Sequence, residues 1–235
     1  MSLRAAIFDL YGTLLEVGPP PADAGARWAV ACQVALGTAP PLSLAQFDNE
    51  CRRVVAVEHA TARMRGIEFP EVYWPDIVDT VLRGFDPRPA AARTPSPIYR
   101  ADFLHTVRLR PDAADVLRAA QKTSLLLGLA SNCQPYSVHE LDTALAGVGL
   151  SRDRFTSNLC FFSFAHGFSK PDPHVFRLLT ARLRSFGIAP GEALIVGDRA
   201  DNDLEPARAH GWQTFRIELE SPDCWSRLRA RLLHH

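Results

Sequence analysis

The sequence predicts an α/β fold: a doubly wound parallel sheet with an inserted helical domain. Two observations carry this. From residue 101 onward, short and nearly continuous apolar runs alternate with stretches of helical period. Strands buried on both faces of a parallel sheet need such runs. Residues 19–100 break that rhythm and show helical patterns alone. The expected organisation is a core of residues 1–18 and 101–235, interrupted by a helical domain at 19–100.

Each element follows from its residues. The first strand is read at 4–9 (RAAIFD), and helical patterns occupy 22–36, 43–65 and 71–83. The proline-rich stretch FDPRPAAARTPSP at 85–97 should form an extended return segment, because each proline ring fixes φ. A helix is expected at 111–122, with Pro111 at its first position and Asp112 in the positive first turn. Strands are read at 125–131 (LLLGLAS), 158–163 (NLCFFS), 193–198 (ALIVGD) and 213–218 (QTFRIE). Helices are read between them at 137–147, 173–186 and 202–210, the last stopping before Gly211.

Composition excludes several classes. The 235 residues are 47% apolar and 22% charged, with a formal net charge of zero. Nucleic acid as a partner is not expected, because no basic excess is present. No apolar run approaches the ~18 residues of a spanning helix, and the opening MSLRAAIFDLYG lacks a signal-type cleavage site. The five cysteines form no C-x-x-C pair, so reduced thiols and a cytoplasmic location are expected and a zinc site is not.

Ligands of open α/β sheets bind beyond the carboxyl ends of the strands, so the residues ending each strand matter most. The first strand ends at Asp9, with Tyr11, Gly12 and Thr13 close behind. The second ends at Ser131-Asn132, and the fourth at Gly197-Asp198, trailed by Asp201, Asn202 and Asp203. After the third comes Ser169-Lys170-Pro171. Singly, each has a plain reading: Asp9 as a turn residue, Ser131-Asn132 as a helix start, Lys170 as a solvated charge, the acids as a helix N-terminus. Their arrival at successive strand ends is the functional signal.

These segments resemble the four motifs of the haloacid dehalogenase-like (HAD) hydrolase superfamily. FDLYGTL is similar to the first, LASN to the second, SKPDP to the third and VGDRADND to the fourth, spanning residues 7–211. The helical insertion resembles the family's helical cap of the first type. The resemblance implies that Asp9 is a nucleophile forming a covalent intermediate. It implies that Thr13, Ser131, Asn132 and Lys170 contact the transferring group, and that Lys170 also orients Asp9. It further implies a Mg²⁺ held by Asp9, Asp198 and the backbone carbonyl of Tyr11, with Asp203 holding the metal's water or Lys170.

Tyr11 and Asp198 point in different directions. Family phosphatases carry a second aspartate where Tyr11 stands, whereas the 2-haloacid dehalogenases carry D-x-Y-G-T. The dehalogenases, however, lack a carboxylate at the position of Asp198. Two facing carboxylates without a cation would raise one pKa and weaken the nucleophile, so the fourth motif carries more weight. The expected activity is a Mg²⁺-dependent phosphatase acting on a small phosphorylated molecule, with Tyr11 a poor replacement for the usual acid. The alternatives are a metal-free 2-haloacid dehalogenase using Asp9, and a degraded scaffold with a binding role. Glu58, His59, Arg63, Tyr73 and Trp74 are candidate contacts from the insertion, though Tyr73 and Trp74 read more simply as packing residues. Cys133 and His166 are weaker candidates near the crevice, and Arg199 is expected to pair with a neighbouring acid.

Overall fold

The computed structural model describes residues 2–85, 97–218 and 220–233. Seven strands lie among them: β1 (Ala5–Phe8), β2 (Leu15–Gly18), β3 (Thr106–Leu109), β4 (Leu126–Ser131), β5 (Cys160–Phe162), β6 (Ala193–Gly197) and β7 (Gln213–Arg216). The helices are α1 (Ala24–Leu36), α2 (Leu44–Met64), α3 (Trp74–Leu82), α4 (Pro111–Ala120), α5 (Pro135–Ala146), α6 (Pro173–Ser185), α7 (Glu205–Ala209) and α8 (Cys224–Leu233).

Five strands form a parallel sheet in the order β5-β4-β1-β6-β7. The fold class expected from the apolar runs is the one observed. β1 is central and wholly buried, with Ile7 beside Gly128 of β4 and Ile195 of β6. Its side chains alternate between two cores. Ala6 and Phe8 pack with residues of α4, α5 and α8, whereas Ala5 and Ile7 pack with residues of α6 and α7. Burying a side chain such as Phe8 contributes roughly 1.5–3 kcal/mol, so β1 anchors both layers. The order of strands reverses beside β1, which opens a crevice at its carboxyl end.

Helix starts follow local chemistry. Pro111, Pro135 and Pro173 begin α4, α5 and α6, where a missing N–H costs nothing. Ser43 and Gln46 form a reciprocal capping box at α2. The helix expected at 202–210 is instead a π-helical turn, Ala200–Leu204, running into the short α7.

Helices α1, α2 and α3 share their own core, in which Trp28 stacks on Phe47 at 4.4 Å and meets Phe103 at 5.2 Å. The expected proline-rich return segment falls mostly at 86–96, outside the described residues. A further difference from the sequence reading is that β2 and β3 pair as an antiparallel ribbon, Leu15 against Leu109, where no strand is expected. Four-residue strands have too little periodicity to announce themselves, and this pair closes across some ninety residues.

Candidate active site

Asp9 directly continues β1, and its N–H donates to the Val196 carbonyl at 2.9 Å. The chain then turns sharply, with the N–H groups of Thr13 and Leu15 both donating to the Leu10 carbonyl. Gly12 sits at φ +83, and a Cβ there would lie 2.5 Å from Asp198 Oδ2. Glycine is required twice over, by the left-handed backbone and by the close approach of a carboxylate.

Lys170 is the hub of the crevice. Its Nζ lies 2.7 Å from Asp9 Oδ1 and 2.5 Å from Asp203 Oδ1, and all three side chains are buried. Asn132 fixes the lysine's backbone in both directions, accepting from Lys170 N at 2.7 Å and donating to its carbonyl at 2.8 Å. Asp203 in turn accepts from the Arg199 N–H at 3.2 Å, and Gly197 leaves the space its carboxylate needs. Arg199 turns its guanidinium to Asp201, at 2.6 and 3.3 Å, as expected for a charge paired outside the crevice.

The electrostatics are those of crowded anions in a dry site. Burial raises the Asp9 pKa to about 6; Lys170 opposes the rise, and Asp203 and Asp198 add to it. Burial alone would lower the Lys170 pKa, but Asp9 and Asp203 override it and raise the value. The lysine is therefore fully charged at neutral pH. The carboxylates of Asp9, Asp198 and Asp203 each offer an oxygen within 4.8 Å of the others. Three converging carboxylates, two of them on one ammonium, leave a net negative site of hard oxygen donors, the chemistry that suits Mg²⁺. Ser131 Oγ is buried and finds no hydrogen-bond partner among the described residues. Leaving such a hydroxyl unmatched costs about 1–3 kcal/mol, so a polar occupant beside it is favoured.

Several of the expected residues have partners of their own within the fold. The Tyr11 phenol donates to Glu140 Oε2, and burial followed by the Glu140 charge raises its pKa far above the usual phenol value. Its hydroxyl is thus spent on a carboxylate of α5. The Asn132 side-chain amide bonds the Lys170 backbone through both its oxygen and its nitrogen. Thr13 is fully buried and directs Oγ1 toward Asp198 Oδ1 at 3.5 Å. His166 stacks on Phe161 at 4.5 Å, and burial lowers its pKa. Burial pushes the Cys133 thiol up to about 12, which rules out a reactive thiolate.

Sequence reasoning missed the residues that join the helical insertion to this crevice. Gln134 accepts from Trp74 N at 2.8 Å and donates to Glu71 Oε1 at 2.9 Å. Ser163 Oγ donates to Glu71 Oε2 at 2.7 Å, and Ser169 N donates to the Phe69 carbonyl at 2.9 Å. The segment 69–74 is thereby fastened to loops carrying Asn132 and Lys170. The position of Gln134, two residues past Asn132, was the one signal available. His59, Arg63 and Trp74 line one cleft on the insertion, and Glu58, His59 and Tyr73 another.

A parallel sheet with four polar strand ends, a buried lysine and converging carboxylates defines a polar ligand crevice at the carboxyl edge of an α/β fold. The family model described as haloacid dehalogenase-like hydrolase matches residues 3–211, and this chain belongs to that family. A phosphoserine phosphatase of Thermus thermophilus is 34% identical over 126 residues, which is 52% of this chain and 47% of that relative. The match thus spans about half the length of that relative. A ribulose-1,5-bisphosphate 5-phosphatase of Halopiger xanaduensis is 29% identical, over 91% of this chain and 84% of the relative. Among solved structures, a HAD family enzyme of Bacteroides thetaiotaomicron, in complex with magnesium and inorganic phosphate, superimposes with a TM-score of 0.59. It is 15% identical and the match covers 97% of this chain and 99% of that one. A solved 2-haloacid dehalogenase of Pseudomonas syringae is similar in fold as well, with a TM-score of 0.56 at 20% identity over 94% of this chain and 90% of that one, so the fold alone does not divide the two chemistries.

Proposed function

We propose that this hydrolase is a Mg²⁺-dependent phosphatase of a small phosphate monoester, with residues 19–100 as its cap and a cytoplasmic setting. The observation that supports it most is the cluster of Asp9, Asp198 and Asp203, with Lys170 bridging Asp9 and Asp203. A dianionic phosphate does not enter so negative a crevice unless a cation balances it. The two relatives named as phosphatases agree with this reading.

In this reading Asp9, Asp198 and the backbone of Tyr11 hold the ion. When bound, it neutralises negative charge developing on the transferring group. Asp9 attacks phosphorus, its oxygen forming the new P–O bond while the ester oxygen leaves with the electron pair. Lys170, held by Asn132 and Asp203, keeps Asp9 oriented and stabilises the equatorial oxygens. Ser131 Oγ supplies a further donor. Water then cleaves the aspartyl-phosphate and returns Asp9. Tyr11 has its proton committed to Glu140 and serves poorly as general acid. A missing acid costs on the order of 10²–10⁴ in rate, so esters with good leaving groups should turn over best.

The test is turnover of an aryl phosphate and a simple alkyl phosphate with and without Mg²⁺. Mg²⁺-dependent activity that strongly favours the aryl ester is expected. Tyr11 also keeps a second reading open, a dehalogenase that needs no acid. Metal-independent halide release from 2-chloropropionate would falsify the phosphatase reading in its favour.

A further inference from the structure

Tyr11 is tied to a second cavity, on the far side of its own side chain. A cleft of about 550 Å³ opens between α1, the return segment 100–109 and α5. Its wall contains Arg27, Arg100, His105, Arg108, His139 and Glu140, above an apolar floor that includes Leu109 and Ala144. The volume lies in the range of small-molecule sites, which pair apolar walls with a few convergent polar groups.

The charges are unevenly spent. Arg27 pairs with Asp23 at 2.9 Å and reaches Asp102 at 3.8 Å, and Arg108 pairs with Glu16 at 2.8 Å. Among the described residues, the side chains of Arg100 and His139 have no partner. Glu140 is the connecting group. One carboxylate oxygen lies 2.9 Å from His105 Nε2, and the other accepts the Tyr11 hydroxyl. The Tyr11 and His105 rings also meet edge to face at 6.4 Å. One side chain therefore separates the cleft from the loop that carries Asp9.

We propose that this cleft is a second ligand site, taking a small oxyanion carried on an apolar body, and that its occupant acts on the catalytic loop through Glu140 and Tyr11. The oxyanion engages Arg100 and His139, and the apolar body covers Leu109 and Ala144. An anion beside His105 competes with Glu140 for that ring and so alters the hold of Glu140 on Tyr11. Only this coupling rests on the phosphatase reading; occupancy of the cleft does not.

Two probes test it on the intact protein: phenylacetate for a carboxylate and phenylphosphonate, which resists hydrolysis, for a phosphoryl group. Calorimetric titration reads occupancy, and aryl phosphate turnover reads coupling. At least one probe should bind, and the Arg100→Ser/His139→Ala double variant should weaken it by about tenfold or more while leaving basal turnover unchanged. Whichever probe responds identifies the anion. In the wild type the ligand should change kcat or KM by about fivefold or more without simple competition. Tyr11→Phe should retain binding and lose that effect. Binding that is absent for both probes, or unchanged in the double variant, overturns the site. Purely competitive inhibition that persists in the double variant places the ligand in the crevice and overturns it equally. A protein inactive on phosphate esters that still binds the probe through Arg100 and His139 would retain the site and lose only the phosphatase reading.

Discussion

The crevice and the helical insertion are built on opposite principles. In the crevice, Lys170 lies within 2.7 Å of both Asp9 and Asp203, all three buried ions, with Asn132 clamping the lysine's backbone and Gly197 making room for Asp203. In the insertion, the interior is aromatic, centred on Trp28, Phe47 and Phe103. Its charges stay outside, as in the exposed pairs of Arg53 with Glu50 and Arg27 with Asp23. Buried ions in fixed positions cost stability and give preorganised charge. An aromatic core stabilises without specifying any chemistry. The difference separates a region of fixed, buried charge from one of aromatic packing.

Substitutions sharpen that contrast in order of size. Asp9→Asn should abolish turnover, by about 10⁴-fold or more, while raising the melting temperature. The sign follows from burial. Asp9 titrates near pH 6 in the fold against 3.8 unfolded, so its contribution to stability is full below about 3.8 and is lost as pH rises through about 6. The melting advantage of Asp9→Asn should therefore be present at neutral pH and disappear below about pH 3.8. Activity should fall as Asp9 protonates below about pH 6, and added Mg²⁺ should move that limb to lower pH. A variant less stable than the wild type at neutral pH would break the argument that this charge is a functional cost.

Lys170→Met leaves Asp9 and Asp203 buried without their counter-charge. A loss of about 3–5 kcal/mol in urea unfolding is expected, together with loss of turnover. Trp28→Ala removes the centre of the insertion's core and should cost a similar 3–5 kcal/mol. Its kinetic signature differs, because the crevice residues are untouched: KM should rise more than kcat falls. Equal damage to kcat from both variants would mean that the two regions are not separable. Arg53→Ala, an exposed ion pair, should change stability by less than about 1 kcal/mol and leave kinetics alone.

The sequence and the structure agree where one residue's chemistry is enough. The apolar run at 4–9 could only be a buried strand, and it delivers Asp9 to the crevice. Lys170 and Asp203, dozens of residues apart, were both legible because each follows a strand. Pro111 and Pro173 begin the helices read at 111–122 and 173–186, where their missing N–H costs nothing. The ribbon of β2 and β3 was not legible, because two four-residue strands acquire stability only from each other. The fastening of segment 69–74 by Gln134 and Ser163 was equally hidden, since an amide and a hydroxyl in loops carry no pattern.

What the sequence determined by itself was the parallel sheet, the order of its elements and the set of polar residues at its strand ends. These depend on hydrophobic period and on local backbone preference, which neighbours in sequence decide. Only the tertiary structure decided what each polar atom bonds to. Tyr11, two residues from Asp9, spends its hydroxyl on Glu140; Asn132 clamps Lys170; Thr13 supports Asp198. A hydrogen bond needs a partner at about 3 Å in the right direction, and those partners come from chain segments that only folding brings together.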